Sequence, residues 1–97
     1  MNNCWNVYIV RCRDGSLYTG IATDVERRLA EHQAGKGAKY LRGRGPLRVV
    51  FEKQVGSKGQ ALKSEHKLKG LSRNEKEELI NDSENAAFKS LFRAEEP

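Results

Sequence analysis

The sequence predicts an α+β fold, with a small three-stranded antiparallel sheet flanked by about four helices. Three short stretches rich in aromatic and β-branched residues predict the strands. Between and after them lie segments in which apolar residues recur every three or four positions, which is typical of helices. A length of 97 residues is near the common size of one hydrophobic core, so we expect a single domain over residues 1–97.

The first two strands are predicted to form a hairpin. They cover Trp5–Arg11 and Ser16–Gly20, and the pair Asp14-Gly15 between them is a strong turn signal. The third strand is predicted over Leu47–Lys53. These assignments give a sheet in which consecutive strands are antiparallel.

The length of the hairpin loop decides which side chains share a face of the sheet. A two-residue loop would place Tyr8 and Tyr18 on opposite faces. A three-residue loop, with Gly15 in the left-handed conformation, would pair Val10 with Tyr18 and set both tyrosines on one face. We favour the three-residue loop because it gathers core-like residues on the other face: Val7, Ile9, Leu17 and Thr19.

Capping boxes predict where three helices begin. In such a box, a Ser or Thr side chain and a Glu or Gln side chain three residues later satisfy each other's backbone N–H. The boxes are Thr23–Glu26, Ser57–Gln60 and Ser72–Glu75. The helices are expected to end near Ala34, at Gly70 and near Ile80, respectively. A final amphipathic helix is expected over residues 83–93, with the apolar residues Ala87, Phe88, Leu91 and Phe92.

Two polar residues of the first helix lie beside its apolar stripe. At about 100° per residue, Arg28 and His32 share one arc with Val25 and Leu29. Arg27 points away from that arc and is expected at the surface. Geometry alone therefore separates the two neighbouring arginines.

The second helix carries a carboxylate within its apolar stripe. Ala61, Leu62 and Leu68 define the stripe, and Glu65 falls in its middle. A buried carboxylate is costly unless it is paired or bound to a cation. Two alternatives stay open. Glu65 either binds a cation, or it pairs with a lysine or lies at the rim of the buried face.

The charge of the chain favours a polyanionic partner. The net charge is +5 and the pI is about 9.4. A glycine-rich segment over residues 35–46 holds basic residues and one tyrosine but no acid: Lys36, Lys39, Tyr40, Arg42 and Arg44. We expect this basic loop to contact phosphates, with the tyrosine stacking on a base or sugar. The alternative is a solvated, flexible loop.

The remaining sequence features exclude several classes of protein. The N-terminal stretch has neither the basic region of a signal peptide nor the length of a membrane span, so a cytoplasmic protein without membrane association is expected. Cys4 and Cys12 would lie about 26 Å apart on one extended strand, too far for a disulfide. No zinc-binding spacing is present.

Five polar positions, taken in order, resemble the GIY-YIG nuclease superfamily. Asn6–Tyr8 stands where that family has its first triplet, and Tyr18–Gly20 stands where it has the second. Arg28 lies eight residues beyond the second triplet, and His32 lies four residues further. Glu65 on a later helix matches the glutamate of the family. The likeness covers about residues 4–80 and is greatest to the small single-domain bacterial branch known as UPF0213 or YhbQ-like.

Three positions depart from the family pattern. Asn6 replaces the glycine of the first triplet, so the close packing served by that glycine must be met otherwise. Thr19 replaces the isoleucine of the second triplet, which is a mild change. The asparagine that acts in some members has only a loose candidate here, Asn81.

The resemblance implies metal-dependent hydrolysis of a phosphodiester. Glu65 would hold a single Mg²⁺ or Mn²⁺, and Arg28 would contact the scissile phosphate. Tyr8 is the candidate general base, provided that its pKa is lowered. Tyr18 would position water or phosphate, and His32 would either relay a proton or orient a tyrosine.

The expected function is therefore an endonuclease that acts on DNA, selective for structure rather than sequence. Single-stranded, nicked and branched DNA are candidate substrates, RNA is not excluded, and DNA repair or recombination is the expected setting. A first alternative is a non-catalytic nucleic-acid-binding module that uses the same basic groove. A second is an interaction domain whose last helix docks a partner through Phe88, Leu91 and Phe92.

Overall fold

The computed structural model describes residues 4–82. Its strands are β1 (Trp5–Arg11), β2 (Leu17–Ala22) and β3 (Arg48–Gly56). Its α-helices are α1 (Val25–Gln33), α2 (Lys58–Lys69) and α3 (Arg73–Asn81), and a short 3₁₀ helix covers Lys39–Leu41. The predicted α+β class with a three-stranded antiparallel sheet is confirmed. The helix predicted over residues 83–93, with its apolar patch, lies outside the described residues.

The hairpin between β1 and β2 has the predicted three-residue loop. Val10 pairs with Tyr18. Gly15 has a φ of +87°, which a residue with a side chain rarely adopts. The Gly15 N–H donates to the Cys12 carbonyl at 2.9 Å, and the Cys12 N–H donates to the Ser16 carbonyl at 2.9 Å. Both tyrosines therefore lie on one face of the sheet.

The strand order is β2-β1-β3, so β1 is central and packs on both faces. One face carries a cluster shared with α1 and the basic loop: Tyr8, Val10, Cys12, Ala22, Val25, Leu41 and Leu47. The other face carries a cluster shared with α2 and α3: Val7, Ile9, Phe51, Leu68 and Leu79. Alternation along β1 thus divides its side chains between two different environments.

Two of the three predicted capping boxes are confirmed. Ser57 begins α2 and Ser72 begins α3, each with the reciprocal side-chain bond. The box predicted at Thr23 is wrong, because Asp24 caps α1 and accepts from the Arg27 N–H at 3.1 Å. An ionised carboxylate suits the positive end of the helix dipole better than a hydroxyl does.

The buried face of α2 differs by one residue from the predicted stripe. Leu62 is 47% exposed, so its assignment to the core is wrong. The buried residues are Ala61, Ser64 and Leu68. Their spacing of three and four residues keeps them on one face, whereas Leu62 lies about 100° away from Ala61. Glu65, next to Ser64, falls at the edge of this face.

The described residues bear on two of the predicted exclusions. Cys4 and Cys12 form no disulfide with each other, as predicted, and Cys12 is buried beside Val10. Within residues 4–82, no helix is long and apolar enough to cross a membrane.

Candidate functional site

Tyr8 is the centre of the polar cluster on the α1 face. Its side chain is 1% exposed, and its cross-strand partner on β2 is Gly20. A Cβ atom at Gly20 would lie only 2.6 Å from the Tyr8 Oη and 3.1 Å from the Tyr18 Cε1. The glycine therefore leaves the space through which the phenol of Tyr8 crosses β2.

His32 of α1 is bound on both ring nitrogens. Its Nε2 lies 2.9 Å from the Tyr8 Oη, and its Nδ1 accepts the backbone N–H of Ala38 at 3.1 Å. An Nδ1 that accepts a hydrogen bond carries no proton, so in the neutral ring the proton is on Nε2. His32 therefore donates to the oxygen of Tyr8. This direction favours the ionised form of the phenol.

The start of the basic loop holds His32 in this state. A Cβ atom at Gly37 would overlap the His32 Nδ1 and crowd the rest of the ring. Only glycine lets the loop backbone approach closely enough for the Ala38 N–H to reach that nitrogen. Burial and the nearby charge of Arg28 lower the pKa of His32, while Glu31 opposes them. Burial and the charge of Arg28 prevail, so the neutral ring is favoured.

Aromatic rings connect this cluster to the basic loop. The rings of Tyr18 and His32 meet edge to face, with centroids 5.7 Å apart, and Tyr18 also stacks on Tyr40 at 6.0 Å. The guanidinium of Arg44 lies over the Tyr40 ring, 4.4 Å from its centroid, and pairs with Asp14 at 2.9 Å. The hairpin loop thus supplies the acid that the basic loop lacks.

These contacts divide the predicted phosphate-binding residues into two groups. Arg44 and Tyr40 are already engaged within the protein. The other three are exposed and form no ion pair with any residue of 4–82: Lys36, Lys39 and Arg42. The second group is the better candidate for contact with an external anion.

Arg28 lies at the rim of the cluster, and Arg27 points to solvent, as predicted. The Arg28 side chain is 39% exposed, and its Nη1 donates to the Glu31 Oε1 at 3.2 Å. That hydrogen bond raises the pKa of Arg28, so the guanidinium is charged under all ordinary conditions. Part of its fork of donors remains available to a ligand.

Glu65 has the lysine partner and the place at the rim that the sequence left open as one alternative. Its side chain is 22% exposed, and its Oε2 lies 3.5 Å from the Nζ of Lys69. Its negative charge is also close enough to Tyr8 to raise the pKa of that phenol. Glu65 thus pairs with a lysine at the rim, and its charge still acts on Tyr8.

Burial raises the pKa of Tyr8 to about 12, and the neighbouring Tyr18 and Glu65 add to the shift. The charge of Arg28 and its hydrogen bond act in the opposite direction but are outweighed. The lowered pKa that a general base requires is therefore not reached in the protein by itself, where Arg28 acts without a metal ion. The loss of solvation outweighs the positive charge.

Comparisons with known proteins decide the family. The model of the GIY-YIG catalytic domain matches residues 4–78. The chain belongs to the GIY-YIG family. A UPF0213 protein of Yersinia pestis (strain Pestoides F) is 53% identical over 81 residues, covering 84% of this chain and 85% of the relative.

Solved structures agree with this membership. The solution NMR structure of a UPF0213 protein from Bacillus halodurans is 44% identical, covers 94% of this chain and 97% of that one, and gives a TM-score of 0.55. The solution NMR structure of a protein from E. faecalis is 37% identical, covers 82% and 88% respectively, and gives a TM-score of 0.57. Membership of the GIY-YIG family implies a nuclease that acts on nucleic acid, and such nucleases generally use divalent metal ions.

The donor set of this GIY-YIG domain fits one kind of metal ion. Within residues 4–82, no group of three or more His, Cys, Asp or Glu side chains could enclose a metal. Glu65 is a lone, half-buried carboxylate. A hard divalent cation such as Mg²⁺ keeps several waters and needs only one or two carboxylates together with substrate phosphates. The residues therefore fit Mg²⁺ or Mn²⁺ at Glu65, and they do not fit a structural zinc site.

The structure bears on two of the positions that depart from the GIY-YIG pattern. Asn6, in place of glycine, donates from its Nδ2 to the carbonyls of Ala22 and Thr23 at 3.3 and 3.4 Å. It thereby ties β1 to the end of β2. Asn81 ends α3, whose buried Leu79 packs on the opposite face of the sheet, so its match to the family's asparagine gains no support.

Sequence reasoning missed the role of Ala38. Its contribution is a backbone N–H, which no side-chain pattern announces. The one available signal was Gly37, because a glycine in a loop can mark a close approach of backbone to a side chain.

Proposed function

We propose that this GIY-YIG domain is a metal-dependent endonuclease that hydrolyses phosphodiester bonds in DNA. The observation that carries the proposal is that His32 bonds the phenol oxygen of Tyr8, while the charges of Arg28 and Glu65 act on the same phenol. Hydrolysis needs a base for the attacking water, positive charge at the phosphate and help for the leaving oxygen. This cluster offers a group for each task.

Arg28 is the proposed contact to the scissile phosphate. Its guanidinium is charged, lies at the rim and is held by only one carboxylate oxygen, that of Glu31. A planar fork of donors matches two oxygens of a phosphate. Glu31 would keep the fork in place before the substrate arrives.

Tyr8 is the proposed general base, and His32 is its positioning residue. The hydrogen bond from the His32 Nε2–H and the charge of Arg28 both stabilise the phenolate. Because the Ala38 N–H occupies the Nδ1, His32 has no free nitrogen with which to accept the proton of Tyr8. Of the two roles open from the sequence, we therefore propose orientation rather than relay.

Glu65 is the proposed ligand of the Mg²⁺ or Mn²⁺. When bound there, the cation supplies positive charge that stabilises the leaving oxygen and offsets the carboxylate charge by which Glu65 raises the pKa of Tyr8. Lys69 pairs with only one oxygen of this carboxylate in the protein by itself, which leaves the other oxygen to the cation. Tyr18, in contact with His32, would position water or phosphate at this site.

The proposed substrate is DNA selected by structure rather than sequence. Lys36, Lys39 and Arg42 offer phosphate contacts, which carry no sequence information. Single-stranded, nicked and branched forms are therefore the first substrates to try, with RNA alongside. We also propose a cytoplasmic location and a role in DNA repair or recombination.

The test is cleavage of end-labelled single-stranded, duplex, nicked and branched DNA in Mg²⁺, Mn²⁺ or EDTA. Glu65→Gln and Arg28→Ala are the test variants. Glu78→Gln and Arg48→Ala, which change exposed residues of the same types, are the controls. We expect the test variants to lose about 10²–10³-fold in rate. The controls should cleave like the wild type.

Two results would count against the proposal. Cleavage that persists in EDTA, or at the wild-type rate in Glu65→Gln, would remove the metal-dependent mechanism. Salt-sensitive binding by a folded wild type that never cuts any substrate, unchanged in Glu65→Gln, would favour the non-catalytic binding module.

A further inference from the structure

A groove opens beside Arg28 and includes none of the residues of the basic loop. Its volume is about 420 Å³, within the range of sites that hold small organic ligands. It lies where β1 and both helices α1 and α2 begin and where β2 ends. Trp5 and Ala22 line it from the sheet, Arg27 and Arg28 from α1, and Lys58 from α2.

Two of the three cations that line this groove form no ion pair within residues 4–82, whereas both of its acids have a partner. Asp24 caps α1 by accepting the backbone N–H of Arg27, and Glu31 pairs with Arg28. The side chains of Arg27 and Lys58 are exposed, and neither forms an ion pair with any residue of 4–82. The groove therefore offers two uncommitted positive charges beside the one arginine proposed to hold the scissile phosphate.

The groove also has an aromatic wall. Trp5 is half-buried, and the Nζ of Lys58 lies 5.4 Å from the centroid of its ring. An exposed lysine on an aromatic face is a weak contact that a ligand can replace. Every nucleic-acid base has a π face that can stack on such a ring, whatever its sequence.

We propose that this groove binds one unpaired nucleotide next to the scissile phosphate. The base stacks on Trp5, and the phosphate of that nucleotide is held by Arg27 and Lys58. Arg28 belongs to both the Tyr8 cluster and the groove, so one strand can run from one to the other. This inference rests on the proposed nuclease function and adds the form of the substrate that the site accepts.

The nucleotide must be unpaired because, inside a duplex, stacked neighbours cover both faces of every base. A base reaches Trp5 only after it leaves its neighbours in the stack, which costs least in a single strand, at a nick or at a branch. Stacking and phosphate contact are both independent of sequence. The groove therefore accounts for a choice of substrate by structure.

Trp5 is the only tryptophan of the chain, so its fluorescence reports on the groove directly. The full-length protein is titrated in EDTA with a dye-labelled oligothymidylate of about twelve nucleotides. Anisotropy of the dye measures binding, and quenching of Trp5 measures occupation of the groove. A blunt duplex serves as the comparison ligand. We expect quenching to follow anisotropy for the single strand and to be absent for the duplex.

Variants test the cations and the ring separately. Arg27→Ala and Lys58→Ala should each lower the slope of log affinity against log salt by about 0.7. Lys63→Ala and Arg48→Ala, exposed cations outside the groove, should leave it unchanged. Trp5→Ala should weaken binding about tenfold. Trp5→Phe keeps a stacking ring at this half-buried position, so it should bind more tightly than Trp5→Ala and covers the case in which the alanine variant is unstable.

The outcomes separate this inference from the proposed function. DNA binding and metal-dependent cleavage without any quenching of Trp5, or with Arg27→Ala and Lys58→Ala equal to the controls, would overturn the groove and leave the nuclease standing. Quenching and weakened variants in a protein that never cleaves would support the groove and overturn the catalytic proposal. No binding to any nucleic acid would overturn both.

Discussion

The two faces of β1 differ in what their buried side chains do. Val7 and Ile9 face α2 and α3 in a cluster of hydrocarbon side chains. Tyr8, between them, is as buried as they are, yet its oxygen is hydrogen-bonded and its neighbours are His32 and Arg28. Burial on the first face stabilises the fold by removing apolar surface from water.

Burial on the second face instead sets the charge state of a polar group. It raises the pKa of Tyr8 to about 12 and lowers the pKa of His32. Equal burial thus stabilises the fold on one side of β1 and sets the charge state of polar groups on the other. Substitutions on the two faces should therefore affect different measurements.

The largest effect is expected on the apolar face. Leu68→Ala should lower the free energy of unfolding by about 2–5 kcal/mol, because it leaves a cavity at a fully buried position. Urea unfolding measures this loss. Leu62→Ala, on the same helix but 47% exposed, is the matched control and should cost much less. Equal losses in the two variants would show that the α2 face is not packed as described.

The next effect is expected on the polar face. Gly37→Ala places a methyl group against His32, so it should break the Ala38 hydrogen bond and shift the ring from Tyr8. A displacement of that kind costs about 10²-fold in cleavage rate. Gly45→Ala, in the same loop but with the nearest atom 4.0 Å from the added carbon, is the control. Full activity in Gly37→Ala would exclude His32 as the positioning residue.

The sequence predicted the apolar face and the fold more completely than the polar face. Alternation in Trp5–Arg11 and the Asp14-Gly15 turn sufficed to predict the register, because each is a local property of the chain. Helical spacing also separated Arg28 from Arg27. The order and spacing of the GIY-YIG positions identified the candidate site residues together.

What the sequence could not predict depends on contacts between distant segments. The pairing of Arg44 with Asp14 joins two loops, and the bond from Ala38 to His32 uses backbone alone. The raised pKa of Tyr8 is a balance between burial and several charges, and its sign cannot be obtained from residue types. Leu62 was misplaced because an isolated leucine gives no measure of whether a partner surface covers it.

A smaller effect is expected from Thr19, whose buried hydroxyl lies on the apolar face. The Thr19 Oγ1 is buried and has no hydrogen-bond partner among residues 4–82. Because an unsatisfied buried hydroxyl is unfavourable, Thr19→Val should raise the free energy of unfolding by about 1 kcal/mol. Thr23→Val, at an exposed position, is the control for thermal unfolding. A destabilised Thr19→Val protein would mean that the hydroxyl has a partner elsewhere in the chain.

The smallest effect is a pH dependence of stability that arises from His32. Its pKa is lowered in the folded protein, so the unfolded chain binds the proton more readily. The free energy of unfolding should therefore fall as the pH drops through about 6.5 toward the pKa of the folded state. Urea unfolding at several pH values should show a weaker fall in His32→Gln and an unchanged fall in His66→Gln, whose histidine is exposed. A fall of equal size in His32→Gln would assign the effect to other groups.

Cleavage by the Tyr8→Phe protein tests the central claim, that the polar face of β1 is a hydrolytic site built around one phenol oxygen. The substitution removes that oxygen and keeps the ring that packs on Gly20. Wild-type and variant proteins are compared on nicked and single-stranded DNA in Mg²⁺ and in EDTA, with folding checked by circular dichroism. We predict metal-dependent cleavage by the wild type and a loss of about 10²–10⁴-fold in folded Tyr8→Phe. Cleavage by Tyr8→Phe at the wild-type rate would contradict the account.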